Sequence, residues 1–259
     1  MSTATTTLPT LDVSGTNPVP FGRLIGVELR KMADTRAGRW LLIAIALVTA
    51  AIVTIFFFAA PDDQRTFLNF MATTATPQGF LLPVLGILLV TSEWGQRTTL
   101  TTFTLEPSRP RVIAAKVVAA LLLGLVAIVI AVALAALATA LAGEPGAWEN
   151  IGVDDFAKFG ILQVSGVLQG LAFGLIFLNS AAAIVTFFVL PTAFSIVASL
   201  WGPLQDAAPW IDLGTSQQPL FAGVDLTGEQ WTQLATSSAI WILLPFTLGL
   251  VRVMRAELK

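Results

Sequence analysis

Six long apolar stretches constrain the fold of this chain more than any other feature of its sequence. They cover residues 40–60, 73–92, 117–142, 159–178, 181–201 and 234–251. The hydrocarbon core of a bilayer is about 30 Å thick, and a helix of roughly 20 apolar residues crosses it. The chain is 55% hydrophobic and 12% charged, whereas about a quarter of the residues of a soluble domain are charged. The sequence therefore predicts an all-α membrane protein with six transmembrane helices.

The fourth and fifth stretches are separated by only two residues, Asn179 and Ser180. A single helix over both stretches would be about twice as long as a bilayer requires. We therefore predict a tight helical hairpin at this point. The count of six spans depends on it, and so does the side of the membrane on which the C-terminus lies.

Several residue types are missing, and their absence excludes whole classes of site. The chain has no Cys, no His and no Tyr, which removes disulfides, thiolate or imidazole metal ligands, and Ser-His-Asp or Cys-His catalysis. No GxxxxGK[ST] phosphate-binding loop occurs, so the chain has no such route to ATP hydrolysis. We predict no catalytic residue, no metal site and no cofactor bound by this chain.

Basic residues are concentrated on one predicted side of the membrane. If the N-terminus is cytoplasmic, 12 of the 14 Lys and Arg residues lie in cytoplasmic segments, and only Arg65 and Lys158 lie outside. Cytoplasmic loops of membrane proteins are enriched in Lys and Arg. We therefore expect both termini to be cytoplasmic, with residues 1–20, rich in Thr, Ser and Pro, forming a disordered cytoplasmic tail.

Residues 21–36 precede the first span and are predicted to form an amphipathic helix in the membrane interface. On a helical wheel one face carries Phe21, Leu24, Ile25, Leu29 and Met32. Glu28 falls within this apolar arc. Because a buried carboxylate requires a compensating partner, we expect a basic residue to face Glu28.

The cytoplasmic segment at residues 93–116, between the second and third spans, has an unusual pattern. Glu93 lies where a span ends, and Trp94 is typical of the membrane interface. Arg97 follows Glu93 by four residues, so the two side chains are predicted to pair across one helical turn. Residues 98–105 are predicted to form a short helix.

These two segments resemble those of a known family. The run ELRK at residues 28–31, with TR at 35–36 and Trp40 opening a span, resembles the start of bacterial ABC-2 type permeases. The run EWGQRTT at residues 93–99, followed by PSR at 107–109, Arg111 and AK at 115–116, resembles the first cytoplasmic loop of the same family. Together with the six spans, the resemblance covers nearly the whole chain from Phe21, and it includes daunorubicin-type exporters.

The resemblance implies a function and an architecture. Residues 21–36 would be an interfacial elbow helix, and residues 37–259 a six-helix permease domain of the type V exporter kind in the bacterial plasma membrane. Residues 93–116 would form a coupling loop that contacts a separate ATPase, which binds ATP and Mg. The residues implied in this coupling are Glu28, Arg30, Lys31, Glu93, Trp94, Arg97, Thr98 and Thr99.

The same resemblance implies the partners of the chain. Two permease subunits, identical or paralogous, would pair with two ATPase subunits in the lipid bilayer, and the substrate would pass between the permeases. No nucleic-acid partner is expected. Since no charged residue lies well inside a predicted span, an amphipathic or hydrophobic substrate suits the route better than a strongly charged one, and export is the direction that the family implies.

Two further segments carry specific predictions. The external loop at residues 202–232 contains apolar side chains among prolines, and family resemblance implies short re-entrant helices that form an external gate with Trp210, Leu220 and Phe221. An interfacial loop held by Trp is the alternative. The fourth span carries Gly166, Gly170 and Gly174, a spacing that allows close helix packing, within one subunit or between two.

Two other functions remain open from the sequence. A stand-alone facilitator or channel would have the same spans and no ATPase. An intramembrane enzyme with a Ser/Lys dyad would need Lys116 or Lys158, and both residues lie at span ends.

Overall fold

The computed structural model describes residues 19–221 and 225–256. The predicted tail at residues 1–20 lies outside these ranges except for its last two residues. Within the described ranges the chain forms eleven α-helices and no β-strand. The helices are α1 (Phe21–Asp34), α2 (Arg36–Ala59), α3 (Phe67–Gly95), α4 (Thr99–Leu105), α5 (Arg109–Ala142), α6 (Val153–Phe177), α7 (Ser180–Leu200), α8 (Gly202–Ile211), α9 (Leu213–Phe221), α10 (Gly228–Ser238) and α11 (Leu244–Arg255).

Six of these elements are long and apolar enough to cross a membrane. They are α2, α3, α5, α6, α7 and the continuous helix Gly228–Arg255, in which a π-helical turn, Ala239–Leu243, joins α10 to α11. The predicted count of six spans is therefore confirmed. Several helices begin before the apolar stretches do: α5 starts at Arg109 and has 34 residues, about 51 Å at 1.5 Å per residue. Such a helix extends beyond a 30 Å hydrocarbon core, so its first turns lie in the polar layer.

The hairpin between the fourth and fifth spans is also confirmed. Helix α6 ends at Phe177, and Leu178 takes a left-handed conformation with φ 51°. The side chain of Asn179 then accepts a hydrogen bond of 3.0 Å from the amide of Ala182 and caps α7. Leu178 thus ends α6, and Asn179, one of the two residues between the predicted spans, caps the start of α7.

Helices α3 and α6 form the centre of the bundle. In each, 61% of the most apolar 18-residue window is buried, whereas the values for α2 and α7 are 17%. The predicted glycine ridge explains how closely the two central helices approach. A methyl group at Gly166 would lie 3.4 Å from the ring of Pro83, and one at Gly174 would lie 3.1 Å from the carbonyl oxygen of Ile87. The ridge therefore serves packing within one subunit.

Polar side chains inside the bundle are paired with one another. The Gln78 amide donates a 3.0 Å hydrogen bond to the carbonyl oxygen of Ala127 and accepts one from Gln163. These bonds join α3, α5 and α6 at positions where neither glutamine is exposed to solvent by more than 2%. In a membrane, such interhelical bonds stabilise packing because unpaired polar groups are costly there.

Most of the described residues between 202 and 232 are helical. Helices α8 and α9 meet at Asp212, whose buried carboxylate accepts hydrogen bonds from Ser195 at 3.0 Å and from Thr215 at 2.6 Å. Of the predicted gate residues, Leu220 is buried, whereas Trp210 and Phe221 are exposed. The short helices expected from the resemblance are present, and the gating role stays a prediction.

The close approach of α3 and α6 is testable at Gly170. A methyl group there would overlap the carbonyl oxygen of Pro83, whereas one at Gly160 on the same helix meets nothing within 4 Å. We expect Gly170→Ala to lower stability by about 1–3 kcal/mol through overpacking. Gly160→Ala is the control and should be neutral or stabilising by about 0.5–1 kcal/mol. Thermal unfolding in detergent, followed by size-exclusion chromatography, measures both, and equal melting temperatures would show that the helices do not pack as described.

Candidate functional site

Four charged side chains from three helices meet at the end of the bundle that carries α1 and α4. Glu28 and Lys31 come from α1, Glu93 from the last turn of α3, and Lys116 from the third turn of α5. Glu28 and Glu93 are 4% exposed and Lys116 is 2% exposed. We call these four residues the charge cluster.

Lys116 is the centre of the charge cluster. Its ammonium group lies 2.7 Å from Glu28 Oε2 and 3.1 Å from Glu93 Oε2. It also donates a 3.0 Å hydrogen bond to the carbonyl oxygen of Leu89. An ammonium group has three donors, so every donor of this buried lysine has a partner.

Lys31 closes the charge cluster on the solvent side. Its ammonium group lies 2.9 Å from Glu28 Oε1 and also pairs with Glu93. Burial acts to lower the pKa of Lys31, but the carboxylates of Glu93 and Glu28 more than offset this effect and hold its pKa above the usual value. Lys31 therefore stays charged at neutral pH. The contribution of its ion pairs to the free energy of unfolding would be lost only when strongly alkaline pH removes its proton.

The charge cluster is balanced, with two cations and two carboxylates. Burying a single unpaired charge is very unfavourable, whereas a fully paired and hydrogen-bonded group offsets much of that penalty. The sequence-based expectation that Glu28 faces a basic residue is confirmed: Lys31 and Lys116 both contact it. Because the apolar face of α1 also packs on the bundle through Met32 and Ile25, the helix is held by both kinds of contact.

Helix α4 is held against the charge cluster and the bundle. The Thr102 hydroxyl donates a 3.2 Å hydrogen bond to Glu93 Oε1, and Phe103 is buried in the same hydrophobic core as Met32 of α1. Just after α4, Glu106 pairs with Arg111 at 3.0 Å. The arrangement ties α4 to α1, α3 and α5 at once.

The Arg111 side chain extends this connection to the residue before α1. It donates a 2.7 Å hydrogen bond to the carbonyl oxygen of Val19. The start of α1 is thus fixed to α5 at one end of the helix, and Glu28 is fixed to α5 further along. We call this assembly of α1, α4 and the first turns of α5 the α1–α4 junction.

The predicted pairing of Glu93 with Arg97 is wrong. Helix α3 ends at Gly95, and Arg97 follows in a left-handed conformation with φ 58°. A spacing of four residues brings side chains together only while the helix continues. Within the described residues Arg97 forms no ion pair and its side chain is exposed, whereas the cationic partners of Glu93 are Lys31 and Lys116.

The other predicted coupling residues fall into two groups. Thr99 is 2% exposed and Trp94 is half-buried, so both belong to the supporting structure. Arg30 and Thr98 are exposed and are available to a partner. The predicted short helix at residues 98–105 is confirmed as α4, Thr99–Leu105.

Two features of the α1–α4 junction are suited to contact with another protein. A cavity of about 510 Å³ lies between α1 and α4, and its lining includes Leu24, Val27, Thr101 and Leu105. Leu100 and Leu105 on α4 are 53% and 74% exposed. Exposed apolar side chains beside exposed cations are common in protein interfaces.

Sequence reasoning missed Lys116 as a site residue. The sequence places it at the end of the cytoplasmic segment, in the motif that resembles the permease loop, and as one of two lysines that a Ser/Lys dyad would need, but not among the predicted coupling residues. One signal pointed to it: Glu28 needed a basic partner, and Lys116 is the basic residue that immediately precedes the third apolar stretch. Thr102 gave no comparable signal.

The fold and this site define a class. The chain has six helices suited to crossing a membrane and, at one end of the bundle, a polar junction built around buried charges. These are the features of a multi-pass membrane protein. Comparison with models of known protein families and with curated proteins found no match.

The importance of Lys116 can be measured directly. Lys116→Met leaves two buried carboxylates with a single half-buried lysine, and removing one partner of a buried pair costs about 3–5 kcal/mol. Arg30→Met, on the exposed side of α1, is the control and should change stability by less than about 0.5 kcal/mol. Thermal unfolding of the two variants in the same detergent compares them, and a Lys116→Met protein as stable as Arg30→Met would show that the charge cluster is not formed.

Proposed function

We propose that the chain is the transmembrane permease subunit of an ATP-binding cassette transporter of the ABC-2 type, with ATP hydrolysed by a separate subunit. The observation that carries this proposal is the α1–α4 junction. A short polar helix, α4, lies between two spans and is joined to α1 and α5 through the buried charge cluster. A loop that only connected two spans would not need such contacts.

The distribution of charge supplies the orientation of the proposed permease. The α1–α4 junction and the C-terminal end of α11 carry most of the basic residues of the chain. By the positive-inside rule this end faces the cytoplasm, where ATP is available. Both termini are then cytoplasmic, in the plasma membrane of a bacterium.

The exposed surface of the α1–α4 junction is the proposed docking site for the ATPase. Arg30, Arg97, Leu100 and Leu105 project from it, and the cavity between α1 and α4 offers an apolar recess at its centre. A partner that moves α4 also moves Glu93, because Thr102 and Glu93 are hydrogen-bonded at 3.2 Å. The charge cluster then passes the displacement to α3 and α5.

The substrate is proposed to pass between two copies of this chain or between this chain and a paralogue. Helices α2 and α7 are the least buried of the six spans, with 17% of the residues in their most apolar window buried. Those surfaces are available to a second permease subunit and to lipid. Among the described residues the buried charges lie at span ends or in connecting segments, which suits an amphipathic or hydrophobic substrate.

Affinity purification from the native membrane tests this function. The chain should co-purify with an ATPase in a stoichiometric ratio. Arg97→Glu combined with Leu105→Glu should weaken that association at least tenfold, about 1.4 kcal/mol, because both side chains are exposed at the junction. The control is Glu229→Arg on α10, an exposed charge at the opposite end of the bundle.

Two outcomes would contradict the proposal. Purification of the chain without any ATPase, together with transport in liposomes that contain no ATP, would identify a stand-alone facilitator instead. Equal loss of the ATPase in the junction variant and in Glu229→Arg would show that the α1–α4 junction is not the docking surface.

A further inference from the structure

Arg109, the first residue of α5, holds the C-terminal end of the last span. One terminal nitrogen of its guanidinium group donates hydrogen bonds to three backbone carbonyl oxygens, at 2.7 Å to Val253, 2.9 Å to Met254 and 3.1 Å to Ala256. The last carbonyls of a helix have no partner within the helix and carry partial negative charge. A guanidinium cation donates hydrogen bonds to these unpaired carbonyl groups, and its positive charge is attracted to their partial negative charge.

The same guanidinium group also contacts α4. Its central carbon lies 5.3 Å from the centroid of the Phe103 ring, within the range of a cation–π interaction. Phe103 and Val253 belong to one buried core cluster. Arg109 therefore joins α4 to α11. Its planar guanidinium group lies over the Phe103 ring of α4 and donates hydrogen bonds to backbone carbonyl groups at the end of α11.

Helix α11 is the C-terminal part of a continuous helix that reaches the opposite end of the bundle. With α10 and the π-helical turn it forms the 28-residue helix Gly228–Arg255, about 42 Å long at 1.5 Å per residue. Between its N-terminal half and its middle, this helix is bonded to the short helices α8 and α9. The hydroxyl groups of Ser216 and Ser237 lie 2.6 Å apart, and Trp241 donates a 2.7 Å hydrogen bond to the carbonyl oxygen of Ile211.

The π-helical turn, Ala239–Leu243, lies near the middle of this long helix, between its start at Gly228 and the carbonyl groups that Arg109 binds. Such turns occur often at functional positions in helices. Trp241 lies within the turn and makes the bond to α8. One of the two bonds to α8 and α9, that of Trp241, therefore lies within the π-helical turn, and the other, that of Ser237, lies just before it.

We propose that Arg109 is a positioning residue that transmits displacement of α4 along the helix Gly228–Arg255 to α8 and α9 at the opposite end of the bundle. The inference rests on the proposed function only in that an ATPase supplies the displacement. The connection itself belongs to the isolated chain. Arg111 is the natural control, because it is two residues away and binds Val19 and Glu106 instead of α11.

Paired spin labels test this connection without any ATPase. The chain contains no Cys, so pairs of cysteines can be introduced at exposed positions without removing native ones. The near pair, Leu105→Cys with Leu248→Cys, reports the separation of α4 and α11. The far pair, Leu141→Cys with Asp206→Cys, reports the position of α8 relative to α5. All four residues are exposed.

We expect Arg109→Gln to broaden both distance distributions and to shift their means by about 1–2 Å, the size of typical helix shifts. Arg111→Gln should leave the far pair unchanged. Arg109→Lys keeps a cationic donor but loses the planar group over Phe103, so the near pair should show an intermediate effect. If Arg109→Gln does not fold, Arg109→Lys carries the same comparison.

Two results would overturn the inference. If Arg109→Gln broadens the near pair and leaves the far pair unchanged, Arg109 is a local tether that transmits nothing. If Arg111→Gln alters the far pair as much as Arg109→Gln does, the effect is general loosening of the bundle. Neither result depends on whether an ATPase co-purifies, so failure of this inference is distinct from failure of the proposed function.

Discussion

The ion pairs of Lys116 with Glu28 and Glu93, at 2.7 Å and 3.1 Å, are the interactions on which the structure of the α1–α4 junction depends. A helix as short as α1, with 14 residues, has little stability of its own in water. Its position is set by contacts with the bundle, and Glu28 is the one carboxylate on its buried face. Because Lys116 also bonds to α3, the charge cluster fixes α1 relative to both neighbouring helices. The surface of the α1–α4 junction that we propose as a docking site depends on that attachment.

Much of the fold could be predicted because the decisive signals are local. The length of an apolar run identifies a span without any knowledge of its neighbours, and all six spans were found in this way. Apolar periodicity located α1 at Phe21–Asp34, and the polar residues after Glu93 located α4. The glycine spacing on α6 indicated close packing, although the partner helix, α3, was not identifiable from that spacing.

The candidate site could be predicted only in part, because its contacts join residues far apart in sequence. Glu28 and Lys116 are 88 positions apart, and no periodicity connects them. Burial chemistry required a basic partner for Glu28, yet it did not say which one. The predicted pairing of Glu93 with Arg97 failed for a different reason. A spacing of four residues brings side chains together only within a helix, and α3 ends at Gly95, before Arg97. Arg109 and Val253, whose carbonyl oxygen on α11 it binds, are 144 positions apart. No pattern in the sequence predicts this contact.

Site-specific photo-crosslinking in the native membrane tests whether the α1–α4 junction is a docking surface for an ATPase, as we propose. A photoreactive residue at Leu105 is compared with one at Leu141, since the two leucines are 74% and 69% exposed and lie at opposite ends of the bundle. We expect the photoreactive residue at Leu105 to capture a nucleotide-hydrolysing subunit and the one at Leu141 not to capture it. Capture of only lipid or a second copy of this chain at Leu105, or of the ATPase at Leu141 alone, would contradict the proposal.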